Sequence, residues 1–229
     1  MKRSTVNEII AEADAFIRSH GFHLPPFAYM TPDEMVARKA EISNILNSRL
    51  GWDITDYGAG KFDDMGLFLF TTRNGQLEDL QQGRGMCYAE KIMISREDQI
   101  SPTHRHIVKT EDIINRGGAT LAIEMFESDA DGNLDRSAPV PVVCDGIAQT
   151  FDPGHILELA PGASVTLEPG NWHKFWGKGG DVLIGEVSTV NDDLTDNIFA
   201  DPIGRFSEIE EDCDPTHLLV SDYEKWGLL

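Results

Sequence analysis

The stretch "SPTHRHIVKTEDIINRGG", Ser101 to Gly118, sets His104 and His106 one residue apart, followed by Lys109 and Glu111. On a strand, the two imidazoles project from one face, because side chains alternate with period two. Two rings so placed can meet one cation. Glu111 is an odd step from both, so it joins them only if the chain turns between, into a following strand. A third imidazole, His173, comes in "GNWHKFWG", just after the turn "EPG". Three neutral imidazoles and one carboxylate form a mixed N/O donor set. Such a set suits Mn²⁺, Fe²⁺, Zn²⁺, Co²⁺ or Ni²⁺ better than Ca²⁺ or Mg²⁺, and the lack of cysteine ligands speaks against structural zinc. The competing reading takes these residues singly: surface or core histidines, a solvated turn glutamate, and a His173 packed beside Trp172 and Trp176.

Other polar residues could move protons or hold a ligand. Lys109 lies between the histidine pair and Glu111. Near a dication its pKa is expected to fall, making it a proton carrier; the alternative is an exposed turn lysine. Glu186, in "IGEVS", sits in an apolar strand where an unpaired carboxylate is costly. That favours an interior, site-facing position over an outer face salt-bridged to a helix. Glu90, in "YAEKIMI", has a similar case. Strand parity puts Glu90, Ile92 and Ile94 on one face, and Lys91, Met93 and Ser95 on the other. The polar C-terminal segment holds Asp192, Asp193, Arg205 and Glu210. It could close over a barrel mouth, the first three binding a polyhydroxylated ligand and Glu210 serving in proton transfer. Trp172 and Phe175 could offer such a ligand an apolar wall, or simply pack in the core.

The elements that must position these residues follow from periodicity. Val6, Ile9, Ile10, Ala13, Phe16 and Ile17 form one apolar stripe, so Thr5 to His20 reads as a helix stopped by Gly21. A second helix is expected from "TPDE", with Thr31 as cap, Pro32 at the first position and Glu34 completing a capping box, running to Leu50. The signal then changes to short strands. "GLFLFTTRNG" ends in Asn74-Gly75, a hairpin-turn pair. "YAEKIMISRE", "ATLAIEMFES", "VPVVCDG", "IAQTF", "HILELAPG", "ASVTLEPG" and "DVLIGEVSTV" follow, punctuated by Asp131-Gly132, Asp145-Gly146, Pro153-Gly154 and Pro161-Gly162. Many short, closely spaced strands point to an antiparallel sandwich or barrel. The expected organisation is a single domain: a helical extension over residues 1–52, a β-barrel over 53–190 and a C-terminal wrap over 191–229.

Composition narrows the partners. The 229 residues are 41% hydrophobic and 25% charged, which supports a real core. The formal net charge of −20 repels a phosphate backbone or an anionic membrane, so neither nucleic acid nor membrane is an expected partner. No apolar run is long enough for a membrane helix, and the first residues carry no apolar signal core. Cys87, Cys144 and Cys213 are scattered and odd in number, consistent with a reducing cytoplasm.

The order His104-x-His106-x4-Glu111-x6-Gly118 resembles the first cupin motif. Gly162, Pro169, Gly170 and His173 resemble the second. Asp98 stands where the first motif opens with glycine, Pro169 directly precedes Gly170, and Gly177 replaces an asparagine. The resemblance implies a double-stranded β-helix, a jelly-roll barrel, with a metal inside. A narrower resemblance spans nearly the whole chain. "GFHLPPFAYMTPDE", "LGWDITDYGAGKF", "AEKIMISRE", "KTEDIINRGG", "VLIGEVSTVNDDLTDN" and "IGRFSEIEED" are similar to the cupin-type D-lyxose isomerases. It implies a metal-dependent aldose–ketose isomerase acting on D-lyxose and D-mannose, with Mn²⁺ as the usual ion and His104, His106, Glu111 and His173 at the ligand positions. A sugar is then the small-molecule partner, and a homodimer the expected assembly. The alternatives are an iron-dependent cupin dioxygenase, a phosphosugar isomerase, or a cupin that binds sugar without turnover.

Overall fold

A computed structural model describes residues 1–229. Four helices precede or interrupt twelve strands. The helices are α1 (Arg3–Ser19), α2 (Pro32–Ala37), α3 (Ser43–Asn47) and α4 (Leu77–Gln81). The strands are β1 (Gly51–Thr55), β2 (Leu67–Asn74), β3 (Tyr88–Ser95), β4 (Ser101–Arg105), β5 (Glu111–Ser128), β6 (Leu134–Asp135), β7 (Val140–Cys144), β8 (Ile147–Phe151), β9 (Ile156–Leu159), β10 (Ser164–Leu167), β11 (Trp172–Thr189) and β12 (Ile198–Phe199). The sheet runs β1-β2-β3-β11-β5-β10-β7-β8, with β4 on β11, β12 on β4, and β6 and β9 on β5. Every named pair is antiparallel. This is the rolled, mainly β cupin-type architecture with N-terminal helices that the sequence suggests.

Period-two alternation divides the strands between two cores. Leu67 and Leu69 of β2, Met93 of β3, Ile113 of β5 and Ile184 of β11 point into the barrel. Their neighbours Phe68, Phe70, Ile92, Ile94 and Leu183 point outward. Outward does not mean solvent, because the apolar stripe of α1 (Val6, Ile9, Ile10, Ala13 and Ile17) covers that face. The helix closes as expected through Gly21, at φ +73°, whose N–H donates to Arg18 O.

Strands β5 and β11 are long enough to serve both walls of the barrel. They pair from Trp172↔Phe126 to Ser188↔Glu111, with register shifts between Lys178 and Val182 and between Leu183 and Ile184. Gly118 lies at the first of these, opposite Val182, at φ +91°, where an added Cβ would sit 2.3 Å from Asp181 O. Two departures from the cupin pattern meet nearby. Asp98 takes the left-handed conformation (φ +56°) that glycine would otherwise supply, and its N–H donates to Gly177 O. At Gly177 a Cβ would fall 2.6 Å from Gly180 O, which leaves no space for the asparagine of the pattern.

Two expectations need correction. The second helix is not continuous to Leu50. Its capping box forms, with Glu34 N–H donating to Thr31 Oγ1 and Thr31 N–H to Glu34 Oε2, yet α2 stops at Ala37 and α3 starts only at Ser43. Residues 36–41 are all exposed, so no packing holds them helical, while Met35, Ile42 and Leu46 bury against Leu218, Val220 and Tyr223. Asn74-Gly75 does not close a tight hairpin either. β2 and β3 pair, but through a connection that includes α4. The Asn74 amide donates instead to Ser48 O and Asn191 O, and Gly75 is pressed against Met86 O, where a Cβ would lie 1.7 Å away.

Candidate metal centre and active site

His104 lies on β4, His106 just past its end, Glu111 at the first position of β5 and His173 at the second of β11. Antiparallel pairing sets His173 opposite His104, with ring centroids 4.2 Å apart. The metal-binding nitrogens of the three histidines all lie within 4.8 Å of one another. Each Nδ1 faces a backbone carbonyl: His104 to Pro102 O (2.8 Å), His106 to Asp196 O (2.9 Å) and His173 to Asn171 O (3.1 Å). A carbonyl only accepts, so each Nδ1 must carry the proton, and in the neutral, metal-binding form of the ring each Nε2 then offers a lone pair.

Glu111 Oε1 lies 3.3 Å from His106 Nε2 and 3.2 Å from His173 Nε2. In this tautomer all of these atoms are acceptors. His106 Nε2 and Glu111 Oε1 are buried with no hydrogen-bond partner. Lone pairs gathered without a donor call for a cation, so the residues present fit a divalent ion. Burial and the neighbouring His173 and His106 rings push His104 well below its ordinary range, which keeps it neutral and able to ligate.

Lys109 is 3% exposed, which disposes of the solvated-turn reading. Its Nζ contacts Glu111 Oε2 at 2.6 Å and Glu186 Oε1 at 2.9 Å. The protein groups around it act on its pKa in opposite directions. Burial pulls it down, but Glu111 and Glu186 outweigh that and hold it above the ordinary lysine value, as an ammonium. Glu186 lies inside the barrel. Burial raises its pKa, yet Lys109 and Lys91 prevail and keep it a carboxylate. From there the charges alternate. Glu186 faces Lys91 at 3.5 Å, Lys91 faces Asp193 at 3.6 Å, Asp193 faces Arg205 at 3.4 Å, and Arg205 reaches Asp53 at 2.8 Å. Burial raises Asp53 above its usual range against the pull of Arg205.

The histidines, Glu111, Lys109, Glu186, Lys91, Asp193 and Arg205 all line one cavity of about 450 Å³, measured out to its mouth. Phe175 lines it, two residues from His173 on the same face. Leu69, Met93 and Ile113 give it an apolar floor, and Tyr57, Ser101 and Asn197 add polar groups.

Four expected site residues lie elsewhere. Glu90 is on the outer face of β3, where it accepts from Thr72 Oγ1 and pairs with Arg73; the interior position belongs to Lys91. Trp172, next to His173, points to the opposite face by strand parity, and Arg105 stacks over its ring at 5.3 Å. Asp192 caps its own turn, accepting from Leu194 N–H and from Thr195 N–H and Oγ1–H. Glu210 is exposed beside the start of α1, its backbone bonded to Met1 and Arg3. Sequence reading also missed Lys91, Tyr57, Ser101, Asn197 and Asp53. Strand parity groups Lys91 with Met93, but it does not say which of the two faces of β3 turns inward.

The family model described as D-lyxose isomerase matches residues 1–223. The chain belongs to the D-lyxose isomerase family. The D-lyxose/D-mannose isomerase of Serratia proteamaculans is 46% identical over 227 residues, covering 97% of this chain and 98% of the relative. That of Escherichia coli O157:H7 is 42% identical over 229 residues, covering 99% and 100%. Among solved structures, Cellulomonas parahominis L-ribose isomerase with L-ribose superposes with a TM-score of 0.61 at 14% identity, covering 92% of this chain and 98% of that one. Acinetobacter sp. DL28 L-ribose isomerase in complex with L-ribose gives 0.61 at 15%. At such identities the likeness concerns the fold of this family member, and its sequence relatives carry the family.

Proposed function

We propose that this chain interconverts D-lyxose with D-xylulose and D-mannose with D-fructose, using a divalent ion held by His104, His106, Glu111 and His173. The observation that carries the reading is the convergence of three lone-pair Nε2 atoms and an unpartnered carboxylate oxygen beside a buried carboxylate–ammonium pair in one cavity. A bound divalent ion would polarise the sugar carbonyl and ease ionisation of the neighbouring hydroxyl. Mn²⁺ is the first candidate, with Fe²⁺, Zn²⁺, Co²⁺ and Ni²⁺ as substitutes for the same donor set.

Glu186 is the base. Kept ionised by Lys109 and Lys91, it takes the proton from one of the two reacting carbons and returns it to the other. Lys109 stays an ammonium between Glu186 and Glu111. It holds the base in place and stabilises negative charge growing on the substrate oxygens. Asp193, Arg205 and Asn197 bind the remaining hydroxyls, while Phe175, Met93 and Ile113 keep water from the reacting carbons.

A phosphosugar is disfavoured, because the cavity cations Lys109, Lys91 and Arg205 are each already paired with carboxylates. We further propose that the helical cover (1–52), barrel (53–190) and wrap (191–229) fold as one unit. The chain is proposed to act as a homodimer in the cytoplasm. The dimer is supported by the open edge of β8, where Ile147 is 65% exposed. No helix is long and apolar enough to cross a membrane.

The deciding assay follows ketose formation from D-lyxose and D-mannose, before chelation, after it, and after Mn²⁺ is restored. Activity should vanish on chelation and return with the ion. Activity indifferent to chelator would remove the metal from the mechanism, and absence of turnover with every aldose would remove the isomerase.

A further inference from the structure

The pairing of β12 with β4, Ile198↔Arg105 and Phe199↔His104, carries the C-terminal strap past the metal-site strand. Continued by two residues, this register sets Asp196 beside the place where β4 has ended and the chain turns toward Glu111. The turn leaves the N–H groups of Ile107, Val108 and Lys109 without strand partners, and Asp196 takes all three. Its Oδ1 accepts from Ile107 and Val108, both at 2.8 Å, and its Oδ2 accepts from Lys109 at 2.9 Å. Its backbone carbonyl accepts from His106 Nδ1 at 2.9 Å. Asp196 itself is 7% exposed.

Side-chain packing contributes little to this. Ile107 and Val108 are 54% and 50% exposed, so their side chains hold the turn only weakly. Yet this turn is the short link between His106 and Glu111, and it also carries Lys109. An anionic oxygen pair accepting several consecutive amides is a strong and directional anchor.

We propose that Asp196 is a positioning residue of the metal centre. From the C-terminal strap it fixes the ring of His106 and the backbone that aims Lys109 and Glu111, and so sets the affinity for the divalent ion. The inference rests on the metal reading above. Groups that orient a ligating histidine typically change metal affinity ten- to a hundredfold when lost.

The test uses full-length chain stripped by chelator, with Mn²⁺ as the probe. Titration is followed by calorimetry and by the Mn²⁺ paramagnetic signal, and the His106 Nδ1–H resonance is observed in the metal-free protein. Asp196→Ala keeps the backbone carbonyl that receives His106 Nδ1–H but loses the carboxylate that fixes that carbonyl's place, so it should weaken Mn²⁺ binding by about tenfold to a hundredfold and shift the His106 resonance with faster exchange. Asp196→Asn, the milder variant, keeps an oxygen for Ile107 and Val108 but turns an amide group on Lys109 N–H, and should fall between. Asp192→Ala removes the neighbouring turn cap of the same strap and should bind Mn²⁺ within about twofold of wild type, since Asp192 touches none of the three amides. Equal Mn²⁺ affinity in Asp196→Ala and wild type would overturn the proposal. So would an equal loss in Asp192→Ala, which would assign the effect to the strap at large. A wild-type chain that takes up no divalent ion would overturn the metal reading and the affinity claim together. In that case a His106 resonance unchanged in Asp196→Ala would overturn the positioning claim separately.

Discussion

The buried charges from Glu111 to Asp53 contact one another in sequence, so one substitution is felt by the others. Glu186 is the member whose loss should separate chemistry from binding. In Glu186→Gln the shape is kept, Lys109 retains Glu111 and Lys91 retains Asn191 and Asp193, but no base remains. The expected result is a fall in kcat of roughly 10²–10⁴, with one divalent ion still bound per chain. Steady-state kinetics alongside metal analysis checks this, and a variant retaining a tenth of wild-type kcat would acquit Glu186 as the base. At this scale the sequence was readable only where chemistry is local. The histidine pair, Glu111 and His173 announce themselves by type and spacing. The ion chain does not, because its links join residues far apart: Lys109 to Glu186 spans 77 positions and Arg205 to Asp53 spans 152. Asp196 was hidden for another reason, being one among 39 acidic residues with no neighbour to single it out.

Between residue and molecule, the strands do two jobs at once, with the site on one face and α1 on the other. Ile17 of α1 is fully buried against the outer face. Ile17→Ala should therefore cost about 2–5 kcal/mol while leaving kcat per folded molecule unchanged at a permissive temperature. Denaturant melts and kinetics on the same preparation decide it, and a matching drop in kcat would mean that the outer face reaches the chemistry. This double covering also explains what the pattern could not convey. The helical stripe of α1 and the succession of strands were legible, because periods of 3.6 and 2 survive in the sequence. The choice between Glu90 and Lys91 was not. From Lys91 to Ser95 every residue of β3 is buried, so polar/apolar alternation no longer marks the inner face. Asn74-Gly75 misled for a comparable reason, since a turn-forming pair was used to anchor a longer connection to Ser48 and Asn191.

At the scale of the whole chain, both ends must be fastened for the strap to stay over the cavity, and one buried cation fastens them. Arg3, at the start of α1, is fully buried. It donates to both Asp222 oxygens, at 3.0 and 2.8 Å, and to both Glu211 oxygens, at 2.8 and 2.9 Å. The chain's first helix is thereby tied to the segment that follows the strap. Removing the cation strands Asp222 in the interior, with Leu219 N–H as its remaining donor. Arg3→Met, which preserves much of the packing, should lose about 3–5 kcal/mol. For a chain of this size that is a fall in Tm of roughly 6–20 °C. The clasp should also leave a signature in pH. The hydrogen bond from Arg3, aided by Lys225, brings Glu211 down from its ordinary 4.5 to about 2. A carboxylate depressed by folding contributes stability that is complete above its unfolded pKa and drains away as pH falls through its folded one. Wild type should accordingly lose a share of its stability between about pH 4.5 and pH 2, and Arg3→Met should lose less across the same window. Parallel unfolding titrations of the two proteins read the difference directly. Coincident acid limbs, or a neutral-pH loss under about 1 kcal/mol, an amount an exposed ion pair could account for, would show that the termini are joined by packing and not by this cation.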